Sequence, residues 1–295
     1  MALVAFVVNR TLLRDPRRFG ERCRAAAQAR GWAPWFGPAD AAEDSLALAR
    51  RAVAAGASLV FAAGGDGTVR ACSEALAGSG VPMAIVPLGT ANLTARALGV
   101  PARAGRAMEA GFGGRDRAID LAQVEGPGGT WFAAMAGIGL DAAVVAAAGE
   151  RLKRRFGWPA YAAAGMCKLT TPPHEFTVRL DDGEPLCCQA RSVVVANAGL
   201  LPGGFTLLPR ARLDDGLLDV GILAPSGLWD WIRLAGRVLA RDRRQDRALQ
   251  RLQARRVRIG ADAVLPRQAD GEIVPPGQAL SVCVCPRALT VRLPW

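Results

Sequence analysis

The feature that most restricts this chain is an apolar run, Leu59-Val60-Phe61-Ala62-Ala63, that passes without a break into Gly64-Gly65-Asp66-Gly67-Thr68. A helical pattern from Val69 to Ala77 follows, with Cys72 and Leu76 facing inward. A run that is apolar at every position lacks the alternation of a half-solvated strand and fits a parallel strand covered on both faces. Parallel strands need crossovers, and the flanking sequence supplies them. Leu3 to Val8 is another wholly apolar run. Pro16 to Arg30 and Ala41 to Ala55 read as helices, the latter with Leu46, Ala49 and Val53 on one face. Met83 to Val86 is a strand between prolines, and Asn92 to Leu98 is a short helix before Gly99. This alternation predicts a doubly wound parallel α/β sheet.

After about residue 120 the period changes. Phe176 to Leu180 alternates, Asp182-Gly183 offers a hairpin turn, and Ser192 to Ala196 is largely apolar. Leu217 to Ile222, Val257 to Ile259 and Leu280 to Cys285 are further strand candidates, interrupted by helical stretches near Ala142 to Gly165 and Leu228 to Leu252. Strands joined by Asp-Gly turns predict an antiparallel β domain.

Composition removes several chemistries. The 295 residues include a single histidine, His174, which excludes a His-rich metal site and argues against a His-based triad or relay. The seven cysteines form no CxxC pair, and Met1 to Val8 lacks the basic opening of a secretory signal, so a reduced cytoplasmic setting is expected. Cys187-Cys188 and Cys283-x-Cys285 read as small apolar strand residues, and His174 as an exposed loop residue. Trp131 to Ala148 is the nearest approach to a membrane span. It carries Asp141, two glycines and eight alanines, too weak a signal to insert.

Gly64 to Thr68 sits where a buried strand ends and a helix begins, so backbone N–H groups and the helix dipole favour a phosphate. Glycines let phosphate oxygens approach the chain, and Thr68 adds a hydroxyl. Asp66 would repel a bare phosphate, which suggests Mg²⁺, a ribose or a main-chain hydrogen bond. A tight turn with Asp66 as a cap uses the same residues. The second element is Pro87-Leu88-Gly89-Thr90-Ala91-Asn92, which follows the next strand and opens another helix. Gly89 allows close approach there, while Thr90 and Asn92 offer hydroxyl and amide donors or simply cap the helix. Two Gly-Thr turns at neighbouring strand C-termini favour a nucleotide site, because ligands of open α/β sheets bind at that edge.

GGDGT, followed after the next strand by PLGTANLTAR, resembles the diacylglycerol kinase catalytic family of soluble bacterial lipid kinases, relatives of sphingosine and ceramide kinases. The likeness continues through Ile119-Asp120-Leu121, Gly137 to Ala142, Arg155 to Tyr161, Asn197-Ala-Gly199, Pro209 to Asp219 and Asp270-Gly271-Glu272. NAD kinase shares GGDGT, but PLGTAN and the late Asp-Gly-Glu favour the lipid branch. The resemblance implies two domains: an α/β nucleotide-binding domain (1–120) and a β-sandwich-like lipid-substrate domain (121–286). Residues 287–295 are expected as a tail returning to the first domain. It also implies ATP- and Mg²⁺-dependent phosphorylation of a lipid hydroxyl, diacylglycerol foremost, in the cleft between the domains.

By the same resemblance, Asn9, Gly64, Gly65, Asp66, Gly67, Thr68, Val69, Arg70 and Thr90 line the nucleotide; Arg70, where the family often has Asn, either gives a charge-assisted phosphate contact or points to solvent from the helix. Asp66 joins Glu272 as a catalytic residue. Glu272 would accept the proton of the attacking hydroxyl, a task a carboxylate can perform. A structural Mg²⁺ would be held by Asp215 and by the carbonyls of Arg212 and Leu217, oxygen donors suited to a hard cation. A second Mg²⁺ would travel with ATP. The family's first strand usually ends in Asn-Pro-x-Ser/Ala-Gly. Here it ends in Asn9-Arg10-Thr11, and no Thr lies between Thr11 and Thr68. Those departures touch the adenosine end, where the Gly37–Asp40 loop could substitute, and leave open a catalytically weak lipid-binding or regulatory protein.

The net charge of +11 is concentrated. Between Arg237 and Arg258 stand nine arginines against Asp242 and Asp246, preceded by Trp229 and Trp231. An Arg-rich amphipathic helix beside tryptophans suits an anionic bilayer; a solvated face accounts for the same charges. The expected partner is a lipid at the inner membrane surface. A nucleic acid is disfavoured because the aromatics are scattered and the Gly-Thr turns would be unexplained. The oligomeric state, homodimer included, is open.

Overall fold

The computed structural model describes residues 1–126, 129–148, 171–200, 205–240, 242 and 247–295. The chain divides into two compact units, Met1–Ile119 with Arg287–Trp295, and Asp120–Pro286.

In the first unit, strands β1 (Leu3–Asn9), β2 (Ala33–Ala39), β3 (Ala57–Gly64) and β4 (Met83–Pro87) form a parallel sheet in the order β2-β1-β3-β4. β3 and β4 are buried along almost their whole lengths, as their uninterrupted apolar sequences require. Helix α1 (Pro16–Gln28) starts where the Asp15 side chain accepts the Arg18 N–H at 3.0 Å, and it buries Phe19, Cys23 and Ala27 at four-residue spacing. Helices α2 (Ala42–Ala54), α3 (Asp66–Leu76), α4 (Leu93–Ala97) and α5 (Ala104–Gly113) complete the crossovers. Phe6 stacks on Phe36 and Phe61 at 5.1 and 5.0 Å within this core. The strand order reverses direction at β1, so the C-terminal ends of β1 and β3 flank the crevice where such sheets take ligands.

β2 was not anticipated by the pattern. Its Pro34 and Pro38 oppose Val4 and Val8, and among the described residues it pairs only with β1. An edge strand can carry prolines that a central one cannot. α5 was likewise missed, and α3 begins three residues before the expected Val69.

The chain passes through β5 (Arg115–Val124), which pairs with β6 (Trp131–Phe132), and the second unit is antiparallel. β7 (Met135–Gly139), β10 (Ser192–Ala196), β11 (Leu218–Leu223) and β12 (Leu249–Ala254) lie side by side in the order β12-β11-β10-β7. β13 (Arg256–Ala269) follows β7 and pairs with β14 (Glu272–Leu293); its first half also pairs with β8 (His174–Leu180), which pairs with β9 (Leu186–Ala190). Register shifts between Gly260 and Arg267 let one strand serve both groups. Val193 and Val195 of β10 face a core with Phe132, Ile138, Phe176 and Val257. Val194 and Ala196 face a separate cluster with Leu208, Leu234 and Leu249.

Several expectations change here. The predicted helix from Leu228 to Leu252 is α7 (Leu228–Ala240), after which the chain reaches β12. Arg251 and Arg256 therefore lie on strands, and no single Arg-rich helix exists among the described residues. The helix expected from Ala142 to Gly165 is α6 (Leu140–Ala148); its remainder, with Arg155 to Tyr161, lies outside the described residues. His174 opens a strand, with Nδ1 3.1 Å from Asp262 Oδ1, and is not a loop residue. No helix among the described residues is long and apolar enough to cross a membrane.

Candidate active site

The two Gly-Thr turns of the first unit meet backbone to backbone. A Cβ placed on Gly89 would lie 2.6 Å from the Cα of Gly65, so any larger residue at 89 would force the turns apart. Asp66 joins them again, its Oδ1 accepting the Leu93 N–H at 2.6 Å at the start of α4. The main-chain hydrogen bond foreseen as one use of Asp66 is therefore present. It caps the neighbouring helix, while α3 itself has Gly65 at its N-cap without a side-chain cap.

The other predicted residues divide. Thr68 is buried, and its Oγ1 packs over Gly64, where a Cβ would sit 2.3 Å away. The Thr68 side chain is thus packed against the turn. Val69 is also buried, with its N–H given to Gly65 O at 3.0 Å. Asn92 adopts φ 48° and makes no side-chain cap. Its amide instead clasps one residue, accepting the Gly89 N–H at 3.1 Å and donating to Gly89 O at 2.6 Å. Thr90 is exposed, whereas Gly65, Asp66, Gly67 and Arg70 are half-buried. Asn9 closes β1 next to β3, its Oδ1 accepting from Thr11 N at 3.1 Å and Thr11 Oγ1 at 2.7 Å. Arg10 forms a two-pronged ion pair with Asp40, which holds that carboxyl below its ordinary range. The Gly37–Asp40 segment is thereby tied to the end of β1.

In the second unit, Asp270-Gly271 is a two-residue hairpin turn between Ala269 and Glu272, with φ 47° and 79°. Positive φ at both positions is the form that Asp-Gly favours in hairpins. The Asp270 carboxylate is buried and accepts three backbone N–H groups, from Ala133, Ala134 and Met135, each at 2.9 Å. Glu272, the next side chain but one, is half-buried. Gln268 braces the turn from behind, its Oε1 accepting the Gly271 N–H at 2.8 Å and its Nε2 donating to Asp141 Oδ2 at 3.0 Å. In the sequence Asp141 stands out only as the charge within the apolar run from Trp131 to Ala148 and as a residue of the Gly137–Ala142 motif, and Gln268 does not stand out at all. The signal that could have revealed Asp270 is the turn preference of Asp-Gly, applied to residues 182–183 but not to 270–271.

Burial pushes the Asp141 carboxyl above its ordinary range. Ser192 Oγ lies 2.5 Å from Asp141 Oδ1 and 3.0 Å from Ile138 O, within reach of both acceptors. Burial likewise raises the Cys23 and Cys72 thiols to about 12, so neither serves as a nucleophile near neutrality.

The loop expected to hold Mg²⁺ is built on Asp120. Its N–H donates to Leu213 O at 2.6 Å and its Oδ2 accepts the Gly216 N–H at 2.7 Å. Asn197 links this point to Ala133 by donating from Nδ2 to Asp120 O at 2.8 Å and Ala133 O at 3.2 Å. Asp215 is exposed and accepts the Leu217 N–H at 3.1 Å through Oδ1, while the Arg212 and Leu217 carbonyls receive no backbone hydrogen bond among the described residues. One exposed carboxylate and two uncommitted carbonyls are a fitting donor set for a hard cation. No cluster of three His, Cys, Asp or Glu placed to hold a metal occurs among the described residues.

Known proteins show the same two parts. Residues 5–124 match the diacylglycerol kinase catalytic domain, and residues 134–293 match the YegS C-terminal NAD kinase beta sandwich-like domain. A protein of Pseudomonas fluorescens (strain Pf-5) named "Probable lipid kinase YegS-like" is 35% identical over 289 residues, 96% of this chain and 94% of its own. The crystal structure of a "putative diacylglycerol kinase" from Bacillus anthracis str. Sterne superposes with a TM-score of 0.83 at 20% identity, covering 98% of this chain and 94% of that one. An NAD kinase from Archaeoglobus fulgidus in complex with ATP gives a TM-score of 0.54 at 11% identity, covering 98% and 93%. With both domain models matched in order and a relative this similar along nearly its whole length, the chain belongs to the diacylglycerol kinase catalytic-domain family, within its YegS-like branch.

Proposed function

We propose that the protein is an ATP-dependent lipid kinase that transfers the γ-phosphoryl group to a lipid hydroxyl, diacylglycerol being the first acceptor to test. The observation that carries the reading is the Gly65–Gly89 approach, which gathers two strand-to-helix turns at the edge of a parallel sheet. Membership of a family whose relatives bear lipid-kinase names supports the acceptor class.

In this reading Gly65, Gly67 and Gly89 keep the backbone open to phosphate oxygens, and Thr90 and Arg70 supply side-chain donors. Glu272 takes the proton of the lipid hydroxyl as its oxygen bonds to the γ-phosphorus, and the bond to the ADP oxygen breaks. Asp270 is a positioning residue, because its three accepted hydrogen bonds fix the turn that presents Glu272. Asp215, with the carbonyls of Arg212 and Leu217, would hold a structural Mg²⁺. Mg²⁺ bound with ATP would neutralise charge on the transferring group.

The test is a radiolabelled-ATP assay against dispersed diacylglycerol, a sphingoid base and a glycolipid, read after organic extraction. Label in an extracted lipid supports the reading and identifies the acceptor. ATP bound without any label transferred, across the panel and with Mg²⁺ present, would overturn it in favour of a binding or regulatory protein.

A further inference from the structure

Helix α7 has two apolar faces. Trp231, Leu234 and Val238 pack inward on Met135, Val194, Ala196, Leu207, Leu208 and Leu249. At 100° per residue, Trp229, Ile232, Gly236 and Leu239 fall together on another side. There Trp229 is 80% exposed, Ile232 52% and Leu239 66%. Among the described residues these make up three of the seven large hydrophobic side chains left exposed, and they are the ones aligned along a single helix. Scattered exposed apolar residues need no explanation, but a stripe of three does.

The surroundings indicate what covers it. Arg233 and Arg237 border the stripe, ion-paired with Asp230 at 2.7 Å and Asp242 at 3.9 Å respectively, so headgroup phosphates would share or replace those aspartates. From Arg237 to Arg258 the sequence carries nine arginines against two aspartates. A second copy of this chain, with its own net charge of +11, would bring like charge towards like. The stripe, eleven residues from Trp229 to Leu239, is about 15 Å long, and one helix face of that length covers far less than the roughly 800 Å² per partner of a stable interface. An anionic bilayer complements both features, since apolar side chains enter the headgroup boundary while arginines stay at headgroup level.

We infer that α7 lies flat on an anionic membrane surface, with Trp229, Ile232 and Leu239 inserted and the neighbouring arginines meeting acidic headgroups. This deepens the lipid-kinase reading by naming how the enzyme reaches its acceptor, yet the docking itself needs neither nucleotide nor turnover.

The test uses the full chain without ATP, sedimented with vesicles of phosphatidylcholine alone or mixed with phosphatidylglycerol. Binding is expected only to the anionic vesicles and should weaken as salt rises. The triple variant Trp229→Ser, Ile232→Ser, Leu239→Ser should lose about tenfold or more of that binding. It should keep its circular dichroism and its rate on a short-chain diacylglycerol presented in solution. Brominated lipids provide a second measurement on the otherwise unaltered protein: they should quench its fluorescence, and Trp229→Phe should remove that part of the quenching.

Equal vesicle binding by the triple variant, or no Trp229 quenching, overturns the proposal. So does a concentration-dependent dimer that the triple substitution abolishes, which would assign the stripe to a second copy. The two readings fail separately: vesicle docking without lipid phosphorylation removes the acceptor and leaves the docking face. Lipid phosphorylation by a protein indifferent to the triple substitution does the reverse.

Discussion

Gly89 and Gly65 stand so close that the space for a Cβ on Gly89 is already filled by the Gly65 Cα, 2.6 Å away. The reverse substitution meets no such barrier, since a Cβ on Gly65 finds its nearest neighbour at 3.5 Å. Gly89→Ala should therefore cost about 1–3 kcal/mol of stability and, on the proposed function, about 100-fold in kcat/KM, because it displaces one Gly-Thr turn from the other. Gly65→Ala should unfold within about 0.5 kcal/mol of the parent. Urea denaturation alongside kinetics checks both, and a fully active Gly89→Ala would refute the close-approach argument.

Asp66 has a measurable division of labour. Asp66→Asn keeps an oxygen for the Leu93 N–H, whereas Asp66→Ala removes it. Only the alanine variant should lose about 1 kcal/mol of stability. Both should lose turnover, by about 100-fold or more, if the charge acts on the transferring group. Normal turnover in Asp66→Asn would reduce Asp66 to a helix cap.

The Asp-Gly-Glu turn separates stability from chemistry. Asp270→Asn leaves at least one of the Ala133, Ala134 and Met135 N–H groups facing an amide donor, and should cost about 3 kcal/mol. Glu272→Gln should melt with the parent and bind ATP, yet lose about 10²–10⁴-fold in phosphoryl transfer. Calorimetry and single-turnover assays distinguish the two, and near-normal turnover in Glu272→Gln would remove it as the base.

Asp141 gives the fold a pH dependence of defined sign. In the unfolded chain its carboxyl titrates near 3.8, and burial raises that value in the folded protein. Between the two values the unfolded state releases a proton that the folded state retains, so this group's contribution falls as pH rises across the interval. Asp141→Asn imitates the neutral acid, with an amide N–H for Ser192 Oγ and an oxygen for Gln268 Nε2. The variant should gain stability relative to the parent as pH rises above about 4. A difference that stays constant or shrinks over that range would show that Asp141 is ionised in the fold.

Buried parallel strands were legible because their sequences carry no polar face, as in Leu59 to Ala63. Both Gly-Thr turns followed from their positions after those strands. What no linear pattern contains is which loop touches which. The contact of Gly65 with Gly89 and the reach of Asp66 to Leu93 arise only once β3 and β4 are neighbours. Pro34 and Pro38 concealed β2 because a proline argues against a strand unless its edge position is known. From Leu228 to Leu252 the arginines mask the end of α7, since arginine suits a helix as readily as a solvated strand face. Asp270 was read for its neighbour Glu272, although its own burial matters more to the turn.

The first unit is discontinuous in sequence. Its parallel sheet is extended beyond β4 by Val291, which pairs with Met83, and Ala288 accepts the Gly78 N–H at 2.8 Å. Arg292 grips Asp116 at 2.7 and 2.8 Å, and Trp295 donates to Gly113 O at 2.5 Å beneath the Arg115 guanidinium. During synthesis, the first unit must therefore wait with an open sheet edge while more than a hundred and fifty residues of the second emerge. An edge left unpaired that long is a template for wrong partners. Messages cut short before residue 287 would yield a half whose last strand never arrives, and expression of this chain should depend on holdase chaperones more than its native packing suggests.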